Sequence, residues 1–346
     1  LFDETPPLFA AAGRAMTITG DWLTPRVNGL TRFDKPPLVY WAMGLFYSLP
    51  DQSSWDPLGT WAARLPSALS SLLLMLVLGD TLMRFPQKTE LFPRRTALVT
   101  SLSFALSPLV LIWSRIAVSD ALLCSMLGIS LLFHWRRYAD INTSWWIGWL
   151  FLGLAILTKG PVALVITFII FSIFSGSRKD IKNFISRIKI FQGLFITFLV
   201  CIPWYAIELF VEGKAFWDSF FGYHNFQRLT SVVNSHQQPW WFYGLILVIA
   251  SLPFTPFLII SFYQQFSNIK NWRVFSLQKP EESLQFFASC WLISIFLLFT
   301  FAATKLPSYW LPATPAASIL IGLSVSGDKG KKQESIFAWI CSVFLI

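Results

Sequence analysis

The sequence has little charge for its length. Of its 346 residues only 13% are Asp, Glu, Lys or Arg, and 55% are hydrophobic, whereas soluble proteins carry roughly 25% charged residues. This shortage argues against a soluble domain. The net charge of +9 has the sign that suits nucleic acid, but its distribution along the chain indicates a membrane topology signal instead, and we expect no nucleic-acid partner.

Cysteine is also scarce. Each of the four cysteines lies alone in an apolar stretch without CxxC spacing, which argues against a disulfide framework and a structural zinc motif. The sequence shows no obvious internal repeat, low-complexity segment or cleavable signal peptide. It starts at Leu1 and stops inside an apolar run at Ile346, so we expect both termini to be cut ends of a longer protein.

Long apolar runs are what the sequence has in abundance. A helix needs about 20 apolar residues to cross the hydrocarbon core of a bilayer, and lipid offers no partner to an open strand edge. We therefore predict an all-α integral membrane protein with about ten spans. The predicted spans are Leu58–Met83, Thr96–Trp113, Ala117–Trp135, Trp145–Leu157, Val162–Phe174, Ile190–Ile207, Trp240–Phe262, Leu284–Ala303, Trp310–Val325 and Ser335–Ile346.

Basic residues are concentrated in alternate loops between these spans. Five loops hold 17 of the 27 basic residues and 7 of the 18 acidic ones, a net charge of +10. Because basic loops remain in the cytoplasm, these five are predicted to be cytoplasmic and the other segments to face outward. The five loops are Arg84–Arg95, Arg136–Thr143, Gly176–Lys189, Gln264–Ser283 and Gly327–Glu334.

Two regions follow from this topology. Residues 1–57 are predicted to form a first outer loop with interfacial helices, because the run Leu8–Ile18 suits a helix lying along the membrane surface. The pair Asn28-Gly29 within this loop signals a turn. Residues 58–346 are predicted to form the polytopic transmembrane domain, with a second large outer loop at 209–239.

The opening phrase Asp3-Glu4-Thr5-Pro6-Pro7 has two interpretations. Thr5 can cap a helix whose first turn tolerates proline, which would make the two acids structural. Alternatively, Asp3 or Glu4 is a general base that the surface helix holds near the membrane interface.

Several lysine and arginine residues lie at turns of the segments that are predicted to face outward. Lys35 precedes two prolines that fix the local backbone, and Lys159 and Lys305 lie at tight turns next to spans. An ionisable group at membrane depth is costly and therefore a functional candidate, although any one of these side chains could instead snorkel to the interface. Together they favour a shared anionic ligand, and a phosphate would suit them.

Two of the three histidines, His224 and His236, lie in the predicted outer loop 209–239. With Asp34 they could form a metal site, but no ligand spacing demands one. The alternative is that both are hydrogen-bonding loop residues.

The polar phrases of the outward segments occur in an order typical of one family. They are Asp3-Glu4-Thr5, Arg14-Ala15-Met16, Gly20-Asp21-Trp22, Lys35-Pro36-Pro37, Ala63-Arg64, Ala117-Val118-Ser119-Asp120, Thr158-Lys159-Gly160, Phe226-Gln227-Arg228 and Lys305-Leu306-Pro307-Ser308-Tyr309. This order resembles the GT-C fold glycosyltransferases that use a polyprenyl-phosphate sugar. The resemblance covers nearly the whole chain, is closest to the ArnT-like aminoarabinose lipid A transferases and is more distant to the protein O-mannosyltransferases.

The resemblance implies a GT-C helical bundle in the bacterial inner membrane, with a catalytic site on its periplasmic face. The donor would be undecaprenyl phosphate carrying one sugar, and the acceptor a glycolipid such as lipid A, a polysaccharide or a protein. Asp3 would be the catalytic base, with Glu4 beside it and Asp120 as a second acid. The residues implied to bind donor phosphate or substrate are Arg14, Lys35, Arg64, Lys159, Arg228, Lys305 and Tyr309.

This chain departs from the family pattern at its metal position. The chemistry requires no cofactor, but in that pattern the acid before the Lys-Pro phrase and a loop histidine can hold zinc. Here the acid is Asp34 rather than the longer Glu, His224 is offset by one position, and His236 is the remaining candidate. We therefore expect at most a structural or donor-organising ion. We expect the family's first span, its later spans and its soluble outer domain to lie beyond the ends of this sequence, in the longer protein.

Two other functions compete with glycosyl transfer. A transporter or flippase of lipid-linked sugars would place polar residues near the midplane, often at the broken helices of repeated halves, whereas here they lie at outer corners. A non-catalytic assembly scaffold would predict that Asp3 is dispensable.

The charge pattern makes a direct prediction about topology. Reporter fusions at Lys182 and Gln278 should read as cytoplasmic and a fusion at Val233 as periplasmic, because the basic loops are retained inside. The opposite readings would contradict the placement of the polar phrases on the outer face.

Overall fold

The computed structural model describes residues 5–87, 93–227, 238–267 and 278–325, together with residues 335, 336 and 339. Four predicted site residues, Asp3, Glu4, Arg228 and His236, lie outside these ranges, as does nearly all of the predicted tenth span. The described chain is almost entirely helical, which confirms the predicted fold class.

Residues 5–57, the described part of the predicted first outer loop, are called the first outer segment. They fold as short elements that pack on one another. Helix α1 covers Thr5–Thr19 and contacts α2, Leu38–Tyr47. A small hairpin of β1, Arg26–Val27, and β2, Leu30–Thr31, lies between them in sequence. Its turn residues Asn28 and Gly29 have φ angles of 53° and 80°, the left-handed conformation that a two-residue hairpin turn needs, so the predicted turn is confirmed.

The first long helix is capped by an aspartate. Helix α3, Gln52–Trp55, leads into α4, Thr60–Arg84. The carboxylate of Asp56 accepts hydrogen bonds from the backbone N–H groups of Thr60 and Ala62, both at 2.9 Å. These contacts satisfy donors that the first turn of a helix leaves unpaired.

The remaining helices follow the predicted apolar runs. They are α5 Pro93–Ala105, α6 Pro108–Trp113, α7 Ser119–Ala139, α8 Trp145–Lys159, α9 Val162–Ser177, α10 Ile181–Ile188, α11 Ile190–Phe216, α12 Phe242–Ala250, α13 Thr255–Ser267, α14 Leu284–Phe301 and α15 Thr314–Val325. A π-helix at Trp217–Gln227 and short 3-10 helices at Pro280–Glu282 and Pro307–Ala313 complete the described elements.

Several of these helices can cross a membrane, and the protein is a multi-pass membrane protein. Among the described residues, α4, the run Ile190–His224 and α14 are long and apolar enough to span, although the second of these is kinked at Gly213. The pair α12 and α13 would add a fourth span. Helices α8 and α9, predicted as short spans, have 15 and 16 residues. At 1.5 Å per residue they reach only about 23 Å of the roughly 30 Å apolar layer.

Three predicted segments differ from the structure. The predicted span Thr96–Trp113 is split before Pro108, whose ring cannot continue a helix and instead starts α6. The predicted span Trp240–Phe262 is broken, with a bend of 114° between α12 and α13. The predicted loop 209–239 begins as helix, because α11 and the π-helix extend to Gln227.

Helix α7 is the centre of the bundle. Nearly all of its residues are buried, and it packs against α4, α8 and the 3-10 helix Pro307–Ala313. Asp120 lies in its first turn and Arg136 in its last. Their separation of sixteen positions places these two charges about 24 Å apart along the helix.

The predicted basic loops meet at the Arg136 end of α7. Arg136 donates to the Asp80 carboxylate at 2.8 Å and to the Thr81 hydroxyl. Arg178 donates to the backbone carbonyl of Gln278 at 2.6 Å, and Arg137 to that of Arg187. The guanidinium groups thus link neighbouring helices at this end through hydrogen bonds, whereas Asp120 lies at the opposite end of α7.

Helices α8 and α11 pack closely against each other at Gly193. The Trp149 indole covers this glycine and donates to the Ile188 carbonyl at 2.8 Å. A methyl group at Gly193 would overlap the indole ring. Well-packed interiors accept no such overlap without displacement of their side chains.

We expect Gly193→Ala to lower the apparent melting temperature of the detergent-solubilised protein, since overpacking typically costs about 1–3 kcal/mol. Gly176→Ala is the matched control, because no atom outside its local helix lies within 4 Å of the added methyl group. Equal melting temperatures for both variants, measured by tryptophan fluorescence, would contradict this description of the helix contact.

Candidate active site

A cavity of about 520 Å³ lies at the end of the bundle where α7 begins and α8 ends. Most of its lining is apolar. Its polar lining comes from segments far apart in sequence, which the helix ends bring together. The polar lining residues are Asp34, Lys35, Lys159, His224, Thr304, Ser308 and Tyr309.

Five residues singled out from the sequence line this one cavity: Asp34, Lys35, Lys159, His224 and Tyr309. They come from the first outer segment, the end of α8, the π-helix and the 3-10 helix Pro307–Ala313. Their roles in catalysis or binding stay predictions, but their convergence gives those roles a common location.

Lys159 is held by a buried ion pair. Its Nζ donates to the Asp120 carboxylate at 2.6 Å, and both side chains are less than one-fifth exposed. The Ser308 hydroxyl also hydrogen-bonds Asp120, and Lys159 Nζ lies 5.1 Å from the centre of the Tyr309 ring. Because Asp120 is committed to these partners, it serves Lys159 and is poorly placed to accept a proton from a substrate.

Lys35 is positioned by its own backbone turn. Its Nζ donates to the Asp34 backbone carbonyl at 2.7 Å, and α2 starts at Leu38 directly after the two prolines. The Asp34 carboxylate accepts from Arg32 at 2.7 Å and from the Tyr40 hydroxyl at 2.8 Å. Because Arg32 and Tyr40 both belong to the first outer segment, these hydrogen bonds hold the turn that carries Lys35 in one conformation.

The charges around Asp34 keep it ionised. Burial would raise the pKa of this carboxyl, but the positive charges of Lys35 and Arg32 and the hydrogen bond from Tyr40 lower the pKa below its ordinary value. Asp34 is therefore an anion across the neutral range and leaves the turn Arg32–Lys35 with one net positive charge.

The rest of the cavity wall is hydrocarbon and aromatic. Trp217 and Phe221 come from the π-helix, Val165 and Ile166 from α9, and Leu298 from α14. A cavity lined by two ammonium groups and otherwise mostly by apolar side chains suits an amphipathic ligand with an anionic head.

Other predicted site residues are placed elsewhere. Arg14 in α1 and Arg64 in α4 are exposed and do not line the cavity. Lys305 is buried, donates to the Ala302 carbonyl at 2.8 Å and does not line it either. Direct contact of these three cations with a ligand in the cavity is therefore not supported by the geometry.

The described residues do not form a metal site. Within them no three His, Cys, Asp or Glu side chains cluster closely enough to hold an ion. Asp34 and His224 both line the cavity, but each carboxylate oxygen of Asp34 already accepts a hydrogen bond. The zinc ion implied by the family pattern does not fit the described residues, and His236, the remaining candidate ligand, lies outside them.

Sequence reasoning missed the residues that organise the cavity. Arg32 stands two positions before Asp34, so a short-range charge pair was a readable signal. Ser308 belongs to a recognised phrase but carries no charge. Tyr40 and the wall residue Trp217 lie in apolar runs, where no local pattern separates a site residue from an ordinary packing residue.

Similarity to known proteins shows the family to which this chain belongs. The family model described as dolichyl-phosphate-mannose-protein mannosyltransferase matches residues 34–207. A protein of Aquifex aeolicus is 30% identical over 96% of this chain and 68% of its own length. The chain belongs to this mannosyltransferase family.

Some proteins similar to this chain have names that describe the transfer of a lipid-linked sugar. The undecaprenyl phosphate-alpha-4-amino-4-deoxy-L-arabinose arabinosyl transferase of Pseudomonas aeruginosa is 26% identical over 92% of this chain and 54% of that protein. The chain thus spans about half the length of such relatives.

Two solved structures have the same fold as this chain. ArnT from Cupriavidus metallidurans, crystallised with undecaprenyl phosphate, superposes with a TM-score of 0.77 at 25% identity over 95% of this chain and 58% of that chain. The archaeal oligosaccharyltransferase AglB from Archaeoglobus fulgidus has a TM-score of 0.55 at 15% identity, covers 96% of this chain and 47% of its own, and supports the fold alone.

The Lys159–Asp120 pair makes a stability prediction that needs no substrate. Lys159→Met should strongly lower the apparent melting temperature, because removing one partner of a buried pair costs about 3–5 kcal/mol. The double variant Lys159→Met/Asp120→Asn should recover much of the loss, since no unpaired charge then remains. Lys182→Met, at an exposed position of α10, is the control. A double variant no more stable than the single one would contradict the pairing.

Proposed function

We propose that this chain is the membrane-embedded part of a glycosyltransferase that moves a sugar from a polyprenyl phosphate to an acceptor. The observation that carries the proposal is the cavity in which Lys35 and Lys159 meet beside an apolar wall. An isoprenoid chain would contact the wall, and its phosphate would lie between the two ammonium groups. Family membership supports the same chemistry.

The lysines would act on the leaving group. As the bond between sugar C1 and the phosphate oxygen breaks, positive charge grows on the sugar ring and negative charge on the lipid phosphate. Preorganised cations stabilise that growing negative charge without reorganisation. Lys159 is fixed by Asp120 and Lys35 by its proline turn, so both are preorganised for this task.

The acceptor must lose a proton during the transfer. Asp120 is a weak candidate for the base because Lys159 and Ser308 already bind its carboxylate. Asp3, with Glu4 beside it, remains our proposed base, and both lie outside the described residues.

The donor and the location follow from the relatives. We propose undecaprenyl phosphate as the lipid, because the arabinosyl transferases are named for it and ArnT was crystallised with it. With the basic loops in the cytoplasm, the cavity would face the periplasm from the bacterial inner membrane. A glycolipid such as lipid A, a polysaccharide or a protein would serve as acceptor.

Substitution of the cavity lysines in the full-length protein tests the donor site. Lys35→Ala should raise the donor KM roughly 10- to 100-fold, because a charge-assisted contact contributes about 1.5–3 kcal/mol. Lys159→Ala should weaken donor use as well, and Lys182→Ala in α10 should not. Steady-state transfer from an undecaprenyl-phosphate sugar measures this. Unchanged donor kinetics in both cavity variants would indicate that these lysines only anchor the chain at the membrane interface and do not bind the donor.

The base is tested by removing its charge while keeping its shape. Asp3→Asn should leave donor binding intact and lower turnover by roughly 10²- to 10⁴-fold, the usual contribution of general base catalysis. Glu4→Gln should do less, since the proposed base is Asp3 and not Glu4. Near-normal turnover of Asp3→Asn, with loss of turnover in Asp120→Asn, would reverse the two roles.

A further inference from the structure

We infer that Arg32 is the positioning residue of the donor site, and that its guanidinium supplies beside Asp34 the positive charge that a metal ion would otherwise provide. The inference rests on the proposed function for the identity of the ligand. The arrangement itself is built only from described residues.

Arg32, Asp34 and Tyr40 form a closed triangle of polar contacts. Arg32 Nη2 donates to Asp34 Oδ2 at 2.7 Å, and the Tyr40 hydroxyl donates to Asp34 Oδ1 at 2.8 Å. Arg32 Nε in turn donates to the Tyr40 hydroxyl oxygen at 3.3 Å. Both carboxylate oxygens are therefore engaged, one of them by a charged donor.

The guanidinium is also fixed by an aromatic stack. Its carbon lies 5.3 Å from the centre of the Phe9 ring, and Phe9 stacks on Tyr40 with 19° between the ring planes. Phe9 and Tyr40 are fully buried. Arg32 thus joins α1 and α2 to the turn that carries Lys35, in an orientation that a flexible lysine would not reproduce.

The charge balance shows why Lys35 depends on this arginine. The turn holds two cations, Arg32 and Lys35, and one anion, Asp34. With Arg32 in place, the turn presents a net positive charge to a phosphate in the cavity. Without it the turn is neutral, and the Asp34 carboxylate, next in sequence, competes with the phosphate for the ammonium group.

The same contacts disfavour a cation at Asp34. A metal ion bound there would approach within about 2 Å of an oxygen that already has a guanidinium nitrogen at 2.7 Å. Repulsion between like charges at such separation is strong in a site that water reaches poorly. Arg32 and a metal ion are therefore alternatives at this carboxylate, and this chain has the arginine.

A double-mutant cycle in the full-length protein tests the positioning role. Arg32→Gln should raise the Kd of undecaprenyl phosphate and the donor KM by roughly 10- to 100-fold, the range of a charge-assisted contact, with kcat changed only a few-fold. Adding Asp34→Asn removes the competing carboxylate, so Arg32→Gln/Asp34→Asn should return to within a few-fold of wild type. Arg94→Gln, exposed in the first turn of α5, is the control.

Two results would overturn the inference in this cycle. Wild-type binding of undecaprenyl phosphate by Arg32→Gln would show that the arginine does not position the site. A double variant as weak as Arg32→Gln alone would show a packing role only. Because binding of undecaprenyl phosphate is measured apart from transfer, these outcomes hold even if wild-type protein transfers no sugar, a result that would reject the proposed function alone.

The metal alternative is tested on the wild-type protein. After treatment with a zinc chelator, affinity for undecaprenyl phosphate and transfer rate should be unchanged, and elemental analysis should find no stoichiometric zinc. Loss of binding in chelator with recovery on adding zinc would overturn the inference. In that case Asp34→Asn alone should also lose binding, whereas we expect it to bind at least as well as wild type.

Discussion

The ion pair between Lys159 and Asp120 is the contact on which the cavity depends. Two charges buried at the ends of α7 and α8 are tolerable only as partners, because an unpaired charge in a poorly solvated interior is expensive. The pairing therefore joins the start of one helix to the end of its antiparallel neighbour. It also aims an ammonium group into the cavity beside Lys35, whose turn contains a second ion pair between Arg32 and Asp34.

The two ends of the bundle use charge differently. At the Arg136 end, guanidinium groups donate to carbonyl and carboxylate oxygens of neighbouring helices, so the charges act as structural ties. At the cavity end, Lys35 and Lys159 are anchored and also border open space. This division would let the bundle be held together at one end and bind the proposed anionic lipid at the other.

The length of the apolar runs was sufficient to predict most of the helices. The runs at 145–157 and 162–174 correspond to α8 and α9, and the Asn28-Gly29 turn forms as expected. Breaks inside apolar runs were less readable. Pro108 does mark one of them, but the bend between α12 and α13 and the extension of α11 past residue 209 depend on packing between distant segments.

The candidate site was predictable in part for a physical reason. Lys35 and Lys159 lie beside proline or glycine at corners, where a cation is conspicuous in sequence. Most of their partners are not, since the pairing of Asp120 with Lys159 needs two helices to meet and that of Asp34 with Tyr40 needs α2 to form; only Arg32 and Asp34 are close in sequence. Arg14, Arg64 and Lys305 do not line the cavity, and their role in binding stays a prediction.

A structure of the full-length protein with undecaprenyl phosphate would test the central claim most directly. The account predicts the phosphate between Lys35 and Lys159, within hydrogen-bond reach of both ammonium groups, and the first isoprene units against Trp217 and Val165. A phosphate bound away from both lysines, for example beside the exposed Arg14 and Arg64, would contradict it.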